Sequence, residues 1–97
     1  MEQPDPIIHQ PVRLRIMSAL KVLPPNEAIE FVRLKALVAA TEGNLGAHIT
    51  TLEEAGYVAV EKDFVGKRPR TRIMLTKPGR RAFEDYVGYL REIIDAA

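Results

Sequence analysis

The chain has 97 residues, enough for one domain with a modest core, and its 46% hydrophobic and 28% charged side chains are an ordinary globular balance that argues against wholesale disorder. It contains no cysteine, which removes disulfides, thiolate metal sites and cysteine nucleophiles together and fits a reducing cytoplasm. The net charge is only +1, and no apolar run approaches the roughly 20 residues of a membrane span, so no membrane partner is expected.

Met1-Glu2-Gln3-Pro4-Asp5-Pro6 is acidic and proline-broken, unlike a signal peptide, and residues 1–10 read as a loose, flexible arm. Pro11 suits a first helical position, where its missing N–H costs nothing. A helix follows to Leu23, with Val12, Ile16, Ala19, Leu20 and Leu23 on one face. Leu14 and Val22 fall on the other side, so this helix is expected to be covered twice. Pro24-Pro25 stops it. Ala28 to Phe31 reads as a short extended piece, and Val32 to Ala39 as a second helix with Leu34, Leu37 and Val38 inward. Thr41 is an N-cap for a third helix running to about Ala55, with Leu45, Ile49 and Leu52 as its buried stripe. Gly56 is placed to end it in a left-handed cap.

Tyr57 to Val65 alternates as a strand does, Gly66-Lys67-Arg68-Pro69 marks a turn, and Thr71 to Leu75 completes a hairpin. Thr76 and Pro78 open a last helix, to about Ile94. The order is helix, short strand, helix, helix, hairpin, helix.

Charge is unevenly spread along this order. Residues 62–81 carry eight basic side chains (Lys62, Lys67, Arg68, Arg70, Arg72, Lys77, Arg80, Arg81) against Asp63 alone, a net +7. The rest of the chain is net acidic. A block of one sign makes a local field even on a nearly neutral molecule, and its natural targets are phosphates.

Signatures of catalysis are missing. There is no Walker or dinucleotide glycine loop and no His-Glu-x-x-His motif, while His9 and His48 are the only histidines and Ser18 the only serine. The chain is therefore expected to be no enzyme and to need no metal or cofactor.

Two short helices joined by a tight linker form a helix-turn-helix, whose second helix enters the DNA major groove. Opposite the buried stripe of the third helix lie Asn44, Ala47, His48 and Thr51, short and uncharged. Asn reads adenine, Ala and Thr methyls meet a thymine methyl, and His donates or accepts on a base edge. Taken alone, such a face is a plain solvated one; its neighbours give it weight. Titration of His48 near neutrality predicts specific binding that varies between about pH 6 and 7.5. Lys67, Arg68, Arg70 and Arg72 crowd the hairpin, more charge than protection of an edge strand needs, and are expected on backbone or minor groove. In the last helix Phe83, Val87, Leu90, Ile94 and Ala97 step at seam spacing, widened by Tyr86 and Ile93. With Leu14 and Val22 of the first helix, they make an expected homodimer interface.

Several of these segments resemble one family. Leu45-Gly46-Ala47-His48-Ile49-Thr50-Thr51-Leu52-Glu53-Glu54-Ala55-Gly56-Tyr57-Val58 is similar to the recognition helix and first wing strand of winged helix-turn-helix regulators of the MarR/ArsR type. Phe64-Val65-Gly66-Lys67-Arg68-Pro69-Arg70-Thr71 is similar to their wing. Pro11 to Leu20 resembles their first helix, and Leu75 to Phe83 the start of their last one. The likeness is to small single-domain members. It implies an α+β, mostly helical fold: a three-helix core, a β-hairpin wing and a C-terminal dimerisation helix over residues 77–97, in one domain spanning 1–97. It also implies a cytoplasmic homodimer on double-stranded DNA, recognition helix in the major groove and wing on the flanking backbone or minor groove. Without cysteine the metal sensing of ArsR-type proteins does not carry over, and without longer flanking helices neither does a MarR-style effector pocket. Two other readings remain at this stage, a winged-helix protein-interaction module and a ligand-responsive sensor.

Overall fold

The computed structural model describes residues 4–96; the first three residues of the expected arm, and Ala97 of the expected seam, lie outside it. The elements follow the expected order: α1 (Pro11–Lys21), β1 (Ala28–Glu30), α2 (Phe31–Val38), α3 (Glu42–Glu54), β2 (Val58–Val65), β3 (Arg68–Leu75) and α4 (Lys77–Ala96).

The helix ends have identifiable chemical causes. Gln10 caps α1, its side-chain oxygen accepting the Arg13 N–H at 2.8 Å, with Pro11 in the first position. α2 stops at Ala39, which adopts a left-handed φ of 53° and makes the sharp turn into α3. Arg15 of α1 reaches across to donate to the Val38 carbonyl at 3.2 Å, satisfying one of the open carbonyls of α2. Thr41 caps α3 by accepting the Asn44 N–H. At its far end Tyr57 N–H bonds the Leu52 carbonyl and Gly56 N–H that of Glu53, with Gly56 at φ 81°, the paired bonds of a Schellman cap.

The three strands form one antiparallel sheet in the order β1-β3-β2, so the short β1 covers the outer edge of β3 with Ala28 opposite Met74 and Glu30 opposite Arg72. Ile16, Met17 and Leu20 of α1, Leu34 and Val38 of α2, and Leu45, Ile49 and Leu52 of α3 close over Ile29, Val58, Ile73 and Leu75 of the sheet. This is a winged helix-turn-helix, with β2–β3 as the wing.

Four expectations change. Residues 4–10 are no loose arm: Ile8 is fully buried in the core, because Asp5 ties the segment down by accepting the Ile7 N–H at 2.8 Å and the Tyr57 hydroxyl. Leu37 is 60% exposed, since α2 packs along the line of Leu34 and Val38 and Leu37 lies about 100° around the helix from Val38. The hairpin turn is Gly66-Lys67 alone, with Val65 paired to Arg68 and positive φ only at Gly66. Arg68 and Pro69 therefore belong to β3. Residues flanking a two-residue turn form the hydrogen-bonded pair, so Pro69 sits in the alternate position with its nitrogen facing the open edge beyond β1, where no ladder bond is lost. Finally, Phe83 and Tyr86 are core residues, 9% and 4% exposed, and not part of a free seam.

Candidate nucleic-acid interface

Capping at both ends sets how α3 presents itself. With Leu45, Ile49 and Leu52 in the core, Asn44 and Ala47 are exposed and His48 and Thr51 half-buried. The Thr51 hydroxyl donates back to the Ala47 carbonyl at 3.2 Å. Thr50 is exposed on the side that faces the wing and bonds the Gly46 carbonyl in the same way. Sequence reasoning missed it because a residue 100° from the chosen face reads as its flank.

His48 is held by a partner 35 positions earlier. Arg13 places a guanidinium nitrogen 3.1 Å from His48 Nδ1. Guanidinium only donates, so Nδ1 accepts and the neutral ring carries its proton on Nε2. Burial, and then the Arg13 charge, lower the His48 pKa below its ordinary 6.5. The ring is thus neutral at pH 7, and the expected change between about pH 6 and 7.5 moves to lower pH. Arg13 is itself fixed by donating to the Ile7 carbonyl, so the N-terminal segment, α1 and α3 meet at one side chain. Nothing in the local sequence signals this contact.

The wing separates its basic residues by whether a carboxylate stands opposite them. On the side turned away from the helices, Arg70 grips Asp63 with two hydrogen bonds of 2.8 and 2.6 Å, and Arg72 meets Glu61 at 2.7 Å and Asp63 at 3.7 Å. Cross-strand register makes these pairs, since Arg70 stands opposite Asp63 and Arg72 opposite Glu61. The hydrogen bond from Arg70 is the main reason the Asp63 carboxyl lies below its usual range, and the same bond raises Arg70. The Arg72 Nε is buried without a partner among the described residues. Lys62, Lys67 and Arg68 are exposed and make no ion pair among the described residues. The +7 block is therefore divided: two of its arginines are already neutralised by carboxylates of the same sheet.

Between α3 and the sheet runs a cleft of about 590 Å³ with Gly46 and Thr50 on one wall and Val60, Lys62 and Thr71 on the other. The candidate base-reading helix and Lys62 of the wing thus share one side of the molecule, with Lys67 in the turn at the end of the ribbon. Away from it, α4 packs Phe83 and Tyr86 inward, where Tyr86 OH meets His9 Nδ1 at 2.7 Å. Val87 and Leu90 are half-buried, Ile93 and Ile94 are exposed, and everything from Arg91 to Ala96 projects beyond the core. Leu14 lies partly buried against the core and Val22 is 82% exposed. Among the described residues no group of His, Asp or Glu side chains could hold a metal ion, and no helix is long and apolar enough to cross a membrane.

The profile of the winged helix DNA-binding domain family matches residues 12–94. An uncharacterised protein of Methanocaldococcus jannaschii is 38% identical over 81 residues, 84% of this chain and 85% of its own. A transcriptional regulator homologue of Pyrococcus horikoshii is 33% identical and superposes with a TM-score of 0.82 over 93% of this chain and 86% of its own. A MarR-family transcriptional regulator of Silicibacter pomeroyi, 19% identical, shares the fold at a TM-score of 0.72, over 93% of this chain and 57% of its own.

Proposed function

Because the chain belongs to the winged helix DNA-binding domain family, a kinship with regulators of transcription rather than with enzymes, we propose that it reads duplex DNA sequence-specifically as a homodimer. α3 enters the major groove, where Asn44 and Ala47 meet base edges and His48 and Thr51 border them. Lys67 and Arg68 hold the wing on the flanking phosphates or minor groove. Arg70 and Arg72 act less directly, keeping the ribbon stiff through Asp63 and Glu61. The observation that carries this reading is the exposed, uncharged strip of α3 beside the unpaired cations of the wing.

A second copy fits the far end. Val87, Leu90, Ile93 and Ile94 form the pairing surface, with Val22 at its edge, while Phe83 and Tyr86 support it from the core. Glu84, Asp85, Glu92 and Asp95 keep this end off DNA. Pairing two such helices is expected to bury about 1,000 Å² or more in total, the range of specific interfaces, and a small reader gains a second half-site from two-fold symmetry.

Selection of duplexes from a random pool by the purified protein tests the proposal. Enrichment of a palindrome with half-sites about one helical turn apart is expected. A pool that stays random after repeated rounds would overturn sequence-specific reading.

A further inference from the structure

Phe64 has no place in the core and is 69% exposed. Alternation along β2 settles its direction: Val58 is buried, Val60 and Lys62 line the cleft under α3, and Phe64 continues that face. Its cross-strand neighbour is Pro69, also exposed. β1 accompanies β3 only as far as Arg72, so the last four pairs of β2 and β3 run on as a two-stranded ribbon, roughly 13 Å long at the usual rise per residue. An aromatic ring and a proline thus stand together near the free end of that ribbon, on the side shared with α3.

The surroundings of this apolar pair indicate what covers it. Lys62 lies two residues back on the same face, and Lys67 and Arg68 form the tip, none of them ion-paired among the described residues. The opposite face of the same ribbon carries Arg70 and Arg72, both paired, and Arg68 at its end. Free cations therefore flank the exposed ring on its own face, at Lys62, and at the tip, at Lys67, while two of the three arginines of the far face are neutralised. An apolar surface meant for a protein groove has no need of such a collar; a polyanion with a hydrophobic interior does.

We propose that Phe64, backed by Pro69, is an apolar wedge that enters the minor groove beside each half-site and opens a base step, with Lys62, Lys67 and Arg68 on the phosphates of its two walls. Side-chain wedges of this kind unstack a step and bend the duplex toward the major groove. Flexible pyrimidine–purine steps flanking the half-site are then preferred without any hydrogen bond to them. The inference rests on the DNA-binding reading above and adds a contact that reading does not require.

The test is anisotropy titration of the selected duplex, with end-to-end energy transfer in the same duplex to report its bend. Phe64→Ala is expected to weaken binding about tenfold, to leave the salt slope unchanged and to straighten the DNA; Phe64→Leu should keep most of both properties. Lys67→Ala should instead lower the salt slope by about one. Wild-type affinity and bend in Phe64→Ala would overturn the wedge while leaving DNA binding intact, and a change in its oligomeric state would assign the ring to a contact between copies. Failure of the wild-type protein to bind any duplex would overturn the DNA reading and the wedge together. The ring is exposed, so the variants are expected to fold, which circular dichroism checks.

Discussion

Adding one methyl group at Gly79 should loosen the joint that orients the wing against α4. A Cβ there would lie 2.0 Å from the Tyr57 carbonyl oxygen, 2.8 Å from its carbon and 2.9 Å from its Cα, all backbone atoms. Ordinary contact needs more than 3 Å, so α4 and the start of β2 must separate by about 1 Å or more. Several bonds cross that gap: Thr76 N–H to the Tyr57 carbonyl at 3.1 Å, the Thr76 hydroxyl to the Gly56 carbonyl at 2.6 Å, and the Tyr57 hydroxyl to Asp5. Overpacking costs typically ~1–3 kcal/mol, and each weakened bond adds ~0.5–1.5 kcal/mol. The better helix propensity of alanine returns up to ~1 kcal/mol. A net loss of roughly 2–4 kcal/mol is expected for Gly79→Ala, a large part of the 5–15 kcal/mol typical of a domain. In a chain of this length that lowers Tm by roughly 10–30 °C. Gly43→Ala is the control, since nothing lies within 4 Å of its Cβ and it sits exposed in α3; it should be neutral or stabilising by up to ~1 kcal/mol. Thermal and urea unfolding at fixed protein concentration, followed by circular dichroism, compare the two. Equal stability of Gly79→Ala and wild type, or equal losses in both variants, would refute the reasoning.

The division of the wing into paired and unpaired cations predicts that Lys67→Ala with Arg68→Ala flattens the salt slope of DNA binding by about two, so that a fourfold rise in salt costs about twelvefold less affinity than in wild type. Arg70→Ala, which removes a cation already paired with Asp63, should change the slope by well under one; equal changes in both would show that the pairing opens on DNA. For His48, whose folded pKa is depressed, the neutral form favours the fold. Its contribution is complete above pH 6.5 and falls away as pH drops below that value, so specific binding should be level from pH 6.5 to 7.5 and decline in more acid solution. NMR titration of the ring checks this, and Arg13→Gln should move its midpoint back toward 6.5. At the other end of the molecule, Leu90→Glu with Ile94→Glu should give a folded monomer with weakened site binding, read by light scattering. An intact dimer in that variant, or a wild-type monomer at micromolar concentration, would remove α4 as the pairing surface.

The element order was legible in the chain because each signal behind it acts within a few residues. Pro24-Pro25 stops α1 wherever it is packed, Thr41 and Gly56 bound α3 through their own backbone bonds, and Leu45, Ile49 and Leu52 line up by helical geometry alone. The net charge of residues 62–81 and the uncharged strip of Asn44 and Ala47 are equally local, and they pointed to nucleic acid before any folding was considered. Tertiary structure decided the rest, because it depends on which distant residues become neighbours. Arg70 and Arg72 read as free cations until cross-strand register sets them opposite Asp63 and Glu61. His48 reads as an ordinary titrating ring until Arg13 arrives from 35 residues away. Residues 4–10 read as a tail, since proline and acidic residues describe poor local structure, yet Ile8 finds a fully dry site and Asp5 finds Tyr57 52 positions later. Helical spacing placed Phe83 and Tyr86 on the apolar stripe of α4, but spacing cannot say which stretch of a long stripe the domain itself covers. That is set by where the core ends, and beyond it Ile93 and Ile94 stand exposed.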